Sequence, residues 1–294
     1  MLKADLHIHS KHSPDGEIDV KEIIKSCKNA GLDVISITDH NLVKGIPEAL
    51  ECGSICGIKV IQGIEIDCNY KGIDLHLLGY NINWESHDFA DLEVQIAGKV
   101  MGSFSLMIDN LNKAGIDVDA GEVLLKAEVR LPSAELIAEV LLGNPRYHGN
   151  EKLRPYRTGG ARSDMPYINF YLDYFAQDKP AYVKIDYMDY HEAIALIKGN
   201  NGVPVVAHPG LNLKGKEEII VELLDNGAEG LEAFNNYHDY EQITYFANIA
   251  LERNVLVTCG SDFHGKNKPL IRVGEFRRMR EYEENLAENI ARLI

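Results

Sequence analysis

Positive charge is scarce in this chain: 30 lysines and arginines face 45 aspartates and glutamates, a formal net charge of −15 over 294 residues. Such a deficit argues against gripping long nucleic acid, because that affinity rests on cations that neutralise phosphates. Long apolar runs are missing as well. None reaches the roughly 18 residues of a membrane-spanning helix, so no membrane partner is expected. Cysteine is sparse and odd in number, with Cys27, Cys52, Cys56, Cys68 and Cys259 scattered through predicted helices and strands rather than spaced as a disulfide framework. Cys52 and Cys56 share a helix face with no second pair to complete a zinc site, and they read as packing. The first residues enter a strand pattern without a basic segment and apolar core before it, which leads us to expect a cytoplasmic protein.

What is present is a full complement of apolar residues, 45% against 26% charged, enough for one barrel-sized core with an inserted subdomain. Histidine stands out by position. Asp5-Leu6-His7-Ile8-His9-Ser10 and Thr38-Asp39-His40 are strand patterns that end in imidazoles. A strand alternates its side chains with period two, so His7 and His9 share one face while Leu6 and Ile8 take the other. Two nitrogens then converge without further folding, as a metal site requires; alone, the pair fits a solvated edge strand equally well.

Other predicted strands carry residues of the same type. Lys59 to Cys68 (KVIQGIEIDC) holds Glu65, Asp74 to Tyr80 (DLHLLGY) holds His76, Val203 to Gly210 (VPVVAHPG) ends in His208, and Leu256 to His264 (LVTCGSDFH) ends in Asp262 and His264. A lone carboxylate or imidazole in a buried strand costs several kcal/mol, in order of magnitude, unless it is paired or bound to metal. The remaining histidines, His87, His148, His191 and His238, read as surface residues, and His12 has the wrong parity to join His9.

Taken in order, Asp5-Leu6-His7-Ile8-His9, Thr38-Asp39-His40, Glu65, His208-Pro209 and Ser261-Asp262-Phe263-His264 resemble the polymerase and histidinol phosphatase (PHP) superfamily of metal-dependent phosphoesterases. The likeness spans nearly the whole chain. It implies two or three divalent ions, manganese, iron or zinc. His7, His9, Glu65 and Asp262 would hold the first, Glu65, His76 and His208 the second, and Asp15, His40 and His264 the third. Asp15 lies in Ser13-Pro14-Asp15-Gly16, which also reads as a plain turn. By the same resemblance the reaction is phosphoester hydrolysis, with Asp262 or His208 moving a proton. Metal coordination lowers the pKa of water from about 15.7 to roughly 7, so a hydroxide bridging two metals would be the nucleophile.

The strand and helix patterns alternate as in an α/β fold, and the resemblance specifies a distorted seven-stranded (β/α) barrel with sites at the carboxyl ends of strands. Between His76 and His208 the rhythm breaks into helices over 88–113, 119–128, 133–142 and 165–176. We therefore expect a barrel of residues 1–84 and 180–294 with a helical insertion at 85–179 that caps the site. Within it, Arg154-Pro155-Tyr156-Arg157-Thr158-Gly159-Gly160-Ala161-Arg162-Ser163 reads either as a phosphate cradle or as a solvated surface loop. Arg130, Arg162 and Lys179 are the candidate substrate contacts. Relatives carry Arg-Pro-His or Arg-x-His near the first of these and Gly-Lys-Pro at the last, whereas this chain has Arg130-Leu131-Pro132-Ser133 and Asp178-Lys179-Pro180. The barrel with this kind of insertion resembles the nucleotide-directed branch of the family, which implies a small phosphorylated substrate, nucleotide-like, such as a 3',5'-bisphosphate. A cyclic-phosphate diesterase and a catalytically silent metal-binding regulatory module are the alternatives.

Overall fold

A computed structural model describes residues 2–128 and 130–294. The first half of the barrel runs β1 (Ala4–Ile8), α1 (Val20–Asn29), β2 (Val34–Ile37), α2 (Ile46–Cys56), β3 (Lys59–Tyr70) and β4 (Ile73–Tyr80). Four helices follow: α3 (His87–Lys113), α4 (Ala120–Ala127), α5 (Ala134–Gly143) and α6 (Pro166–Tyr174). The second half comprises β5 (Met188–Asp189), α7 (Tyr190–Gly199), β6 (Val203–Val206), α8 (Pro209–Asn212), α9 (Ile219–Asp225), β7 (Gly230–Phe234), α10 (Tyr240–Arg253), β8 (Leu256–Cys259) and α11 (Glu283–Ala291).

Seven strands pair in the order β1-β2-β3-β4-β6-β7-β8, with the short β5 added beside β3. The two ends meet where the His9 N–H donates to the Phe263 carbonyl and the Asp262 N–H to the His7 carbonyl, both at 2.9 Å. The result is the nearly closed seven-stranded barrel that the family resemblance implied. Strands β1, β2 and β7 are buried at every position, as parallel strands covered by helices must be.

One strand runs against the rest, and this is the distortion. Lys71 and Gly72, with φ of 52° and 85°, turn β3 directly into β4, so β4 is antiparallel to both β3 and β6. Glu65 and His76 consequently lie within a long hairpin, with Asp67 opposite His76, and not at carboxyl strand ends as expected. A hairpin reverses direction without the helical crossover that puts loops at one rim.

Helices α3 to α6 fill the interval between β4 and β5. Ser86, Asp119 and Ser133 cap α3, α4 and α5 by accepting the N–H of Asp88, Gly121 and Leu136. A second apolar core, separate from that of the barrel, joins Leu111, Ile116, Val123, Ile137, Leu141 and Phe170. The first half of α3 belongs elsewhere, because Phe89, Leu92 and Ile96 pack into the barrel core. Side chains tie the helices to the loop after β1: an Arg130 Nη donates to the Gly16 carbonyl at 3.1 Å, and Lys266 bridges Glu139 of α5 and Glu17 at 3.1 and 2.7 Å. Among the described residues, no helix is long and apolar enough to cross a membrane.

Candidate metal centre

All nine residues of ligand type come together at one mouth of the barrel. Alternation along β1 aims His7 inward, and His9 follows one residue past the strand end. His40 follows β2, where an isolated parallel bridge sets it against Glu65. His208 and Asp262 follow β6 and β8 with φ of 25° and 55°, left-handed conformations that cost non-glycine residues energy and gather at functional sites. Asp15 is presented by its turn, where the Ser13 hydroxyl donates to its carboxylate at 2.6 Å and Asn267 donates to its carbonyl.

Glu65 lies at the centre. Its Oε2 is 3.1 Å from Nε2 of both His7 and His9 and 3.4 Å from that of His40, while its Oε1 is 2.9 Å from His76 Nδ1 and 3.1 Å from His208 Nε2. Each oxygen therefore faces a different set of imidazoles. Asp262 Oδ1 is 3.4 and 3.2 Å from Nε2 of His7 and His9, and Asp15 Oδ2 is 2.9 Å from His264 Nε2. Among the described residues, four groups of donor atoms are tight enough to hold an ion: His7, His9, Glu65 and Asp262; Glu65, His76 and His208; His9, Asp15, His40 and His264; and His40, Asp67 and His76.

The donor chemistry fits divalent cations. Nε2 of His7, His9 and His264 and Oε2 of Glu65 are buried with no hydrogen-bond partner, an expense that a bound cation would remove. The mixture of imidazole and carboxylate suits manganese, iron and zinc alike. Exposure is graded: the side chains of His7, His9 and Glu65 are 0% exposed, whereas Asp15 and His76 reach 18% and 29%. The cluster is thus sealed below and opens over Asp15, His40, Asp67 and His76.

Charge balance follows from this crowding. Burial would lower the basicity of His7 and His40, but Glu65 with Glu232 and Asp262 around the first, and with Asp67 and Asp15 around the second, lifts both well above the ordinary imidazole range. Burial opposes ionisation of Asp15, Glu65 and Asp262, and the surrounding histidines, joined at Asp262 by Lys268, hold all three well below the carboxylate range. Asp262 Oδ2 is fully engaged, accepting from Tyr237 at 2.5 Å and Lys268 at 2.6 Å. His208 has Nδ1 against Asn212 Oδ1 at 2.6 Å and Nε2 against Glu65.

Four residues escaped the sequence analysis. Asp67 lies 3.0 Å from His40 Nδ1, and its signal was available, two positions after Glu65 and so on the same strand face. Glu232, a lone acid in Gly230-Leu231-Glu232-Ala233-Phe234, gave the same kind of signal as Glu65. Lys268 and Tyr237 gave none, since only the fold brings them to Asp262. His238 corrects an expectation: it is buried, not on the surface. Burial lowers its pKa to about 4, and the neutral ring accepts the Gly210 N–H at 2.8 Å beside the His208-Pro209 turn.

The three candidate cations part company. Arg130 reaches the Asp15 loop through Gly16. Arg162 instead forks onto Asp173 at 3.0 and 2.9 Å, and Arg157 donates to the carbonyls of His148 and Tyr147, so the glycine-arginine loop is tied within the insertion. Lys179 is exposed in a turn closed on the Ala176 carbonyl.

The family model of the PHP domain matches residues 5–240. The chain belongs to the PHP domain family. Other proteins similar to this PHP chain include a 5'-3' exoribonuclease of Haemophilus influenzae, 29% identical over 92% of this chain and 95% of its own length. A phosphoribosyl 1,2-cyclic phosphate 1,2-diphosphodiesterase of Eggerthella lenta is 26% identical over 89% and 94%, and a 3',5'-nucleoside bisphosphate phosphatase of Chromobacterium violaceum is 24% identical over 90% and 88%. A solved structure described as an amidohydrolase from Chromobacterium violaceum superposes with a TM-score of 0.78 at 23% identity, covering 98% of this chain and 96% of its own, and it shares the fold.

Proposed function

We propose that this PHP chain is a metal-dependent phosphatase that hydrolyses one phosphomonoester of a nucleotide 3',5'-bisphosphate, releasing inorganic phosphate. Phosphoester hydrolysis follows from the family and from what its relatives do; the choice of substrate is ours. One observation carries it. Arg130, on the insertion, sits against the loop that bears Asp15, so a second fixed cation adjoins the open side of the cluster. A substrate with two phosphates uses both positive centres, and arginine matches phosphate oxygens in pairs.

In this mechanism His7, His9, Glu65 and Asp262 would hold one divalent ion, Glu65, His76 and His208 a second, and Asp15, His40 and His264 a third. Such ions supply Lewis-acid activation of water and neutralise phosphoryl charge. The chain's own residues do the rest. Lys268 and Tyr237 keep Asp262 ionised and monodentate towards the histidines. Arg130 orients the second phosphate, and the insertion limits water at the mouth, which strengthens each of these interactions. A small substrate also agrees with the net charge of −15, which disfavours long nucleic acid. The free cysteines are consistent with a cytoplasmic setting.

The test is a panel on metal-loaded protein: nucleoside 3',5'-bisphosphates, a ribosyl 1,2-cyclic phosphate and a 5'-phosphorylated RNA oligomer. Highest kcat/KM on the bisphosphate is expected. Preference for the cyclic ester or the oligomer would replace this substrate with the diesterase or exoribonuclease reading, each of which a relative's activity favours. No turnover on any of them, with metal bound, would favour a silent regulatory module.

A further inference from the structure

Glu232 is fully buried on β7, opposite Thr258 of β8, and it is not one of the nine converging residues. Its Oε1 is 3.1 Å from His7 Nδ1. Its Oε2 accepts the His208 backbone N–H at 3.0 Å and the Asn235 side-chain N–H at 3.3 Å. Among the described residues, His7 is the cationic partner it meets, and no lysine or arginine pairs with it. A buried carboxylate without such a partner persists only where its lone pairs are well satisfied.

The surrounding backbone is fitted to this contact. A Cβ at Gly260 would lie 2.2 Å from His7 Cβ and 2.5 Å from Glu232 Oε1, so only glycine lets the end of β8 pass. The β7–β8 register also slips between Glu232 and Phe234, a bulge of the kind that re-aims side chains near active sites. Glu232 thus grips a ring and a backbone that belong to two different donor groups: His7 lies with His9, Glu65 and Asp262, and His208 with Glu65 and His76.

We propose that Glu232 is a positioning residue of the metal centre, holding the His7 ring with Nε2 inward while fixing the His208 backbone in its left-handed turn. The inference rests on the ligand assignment of the preceding section. Carboxylates behind ligating histidines set the tautomer and orientation of the ring and raise its basicity, and losing one costs about 10–100-fold in metal affinity. Here one carboxylate serves two ligands. Glutamine cannot replace it, because three N–H groups converge on the carboxylate and an amide offers a single acceptor. Whichever way it is turned, its NH2 faces another donor.

The experiment is titration of wild type, Glu232→Gln and His9→Ala with Mn2+, free ion being read by electron paramagnetic resonance and folding by circular dichroism. We expect Glu232→Gln to remain folded and to bind about 10–100-fold more weakly than wild type. If wild type binds and His9→Ala does not, while Glu232→Gln matches wild type, the Glu232 role is overturned and the ligand assignment stands. If His9→Ala binds like wild type, the ligand assignment itself fails. A measurement independent of the variant's folding is nitrogen NMR on zinc-loaded wild type. A His7 ring ligated through Nε2, with a slowly exchanging Nδ1 proton, is expected; ligation through Nδ1 overturns the proposal.

Discussion

Replacing Lys268 with methionine keeps the aliphatic stem and removes the ammonium, and its effect should depend on metal. The Lys268 side chain is 11% exposed, and its Nζ lies 2.6 Å from Asp262 Oδ2 and 2.7 Å from the Tyr237 hydroxyl. Burial disfavours its charge, yet Asp262 and Tyr237 more than offset this and raise its pKa. In metal-free protein the substitution leaves a buried carboxylate short of its strongest cation. Breaking a buried pair in this way costs about 3–5 kcal/mol. At roughly 2.1 cal/mol/K per residue, a chain of 294 residues unfolds with an entropy of about 0.6 kcal/mol/K, so Tm should fall by about 5–8 °C. With Mn2+ bound, an ion held by His7, His9, Glu65 and Asp262 would supply the missing charge. What remains is the loss of two hydrogen bonds, about 2 kcal/mol, and a fall of roughly 3 °C. Calorimetric scans of both proteins with and without metal, at matched free Mn2+ above the Kd of each, measure the difference. An equal fall in both states would refute the claim that Lys268 and bound metal neutralise the same carboxylate.

Three further predictions follow from the same geometry. His9→Ala removes an imidazole whose Nε2 faces both Glu65 and Asp262, so metal content by mass spectrometry should drop and turnover vanish while the far-ultraviolet spectrum is preserved; full activity without metal would refute the assignment. Arg130→Ala should raise KM for a bisphosphate with little change in Tm, whereas Arg162→Ala, which loses a half-exposed pair with Asp173, should lower Tm by no more than about 1–2 °C and leave KM alone; the reverse pattern would move the anion site to the glycine loop. His7 and His40 titrate above the ordinary 6.5 in the metal-free fold, so the stability they contribute is complete below that value and is lost as pH rises through their raised pKa. Metal must displace those protons. Binding at neutral pH should therefore release protons and weaken as pH falls, and calorimetry in buffers of different ionisation enthalpy would reject this if no proton appeared.

Much of the centre was legible because its signals are local. His7 and His9 announce themselves by alternation within one strand, Glu65 by being an acid in an apolar run, and His208, Asp262 and His264 by their place after apolar strands. The glycines after α1 and α2 marked those helix ends, with Gly31 and Gly57 both left-handed. The reversed β4 was not legible, since an apolar strand of alternating pattern looks the same in either direction. Nor was the fate of Arg162: a guanidinium close to two glycines reads equally as a phosphate cradle or as a surface loop, and only the fold shows it paired with Asp173. His238 was missed because nothing beside it in the sequence shows that its ring packs under the His208-Pro209 turn.

The sequence by itself carried the motifs whose order gave the family resemblance, which in turn implied the nine donors, and it determined which residue types stand on which face of each strand. Period-two alternation fixes that much with no knowledge of partners. Only the tertiary structure decided how those donors are held. His7 and Glu232 are 225 residues apart, and Asp262 meets Lys268 and Tyr237 only where β7 and β8 bring their loops together. Which carboxylate oxygen faces an imidazole and which a lysine is a matter of strand register and barrel closure, and these depend on contacts that no local pattern encodes.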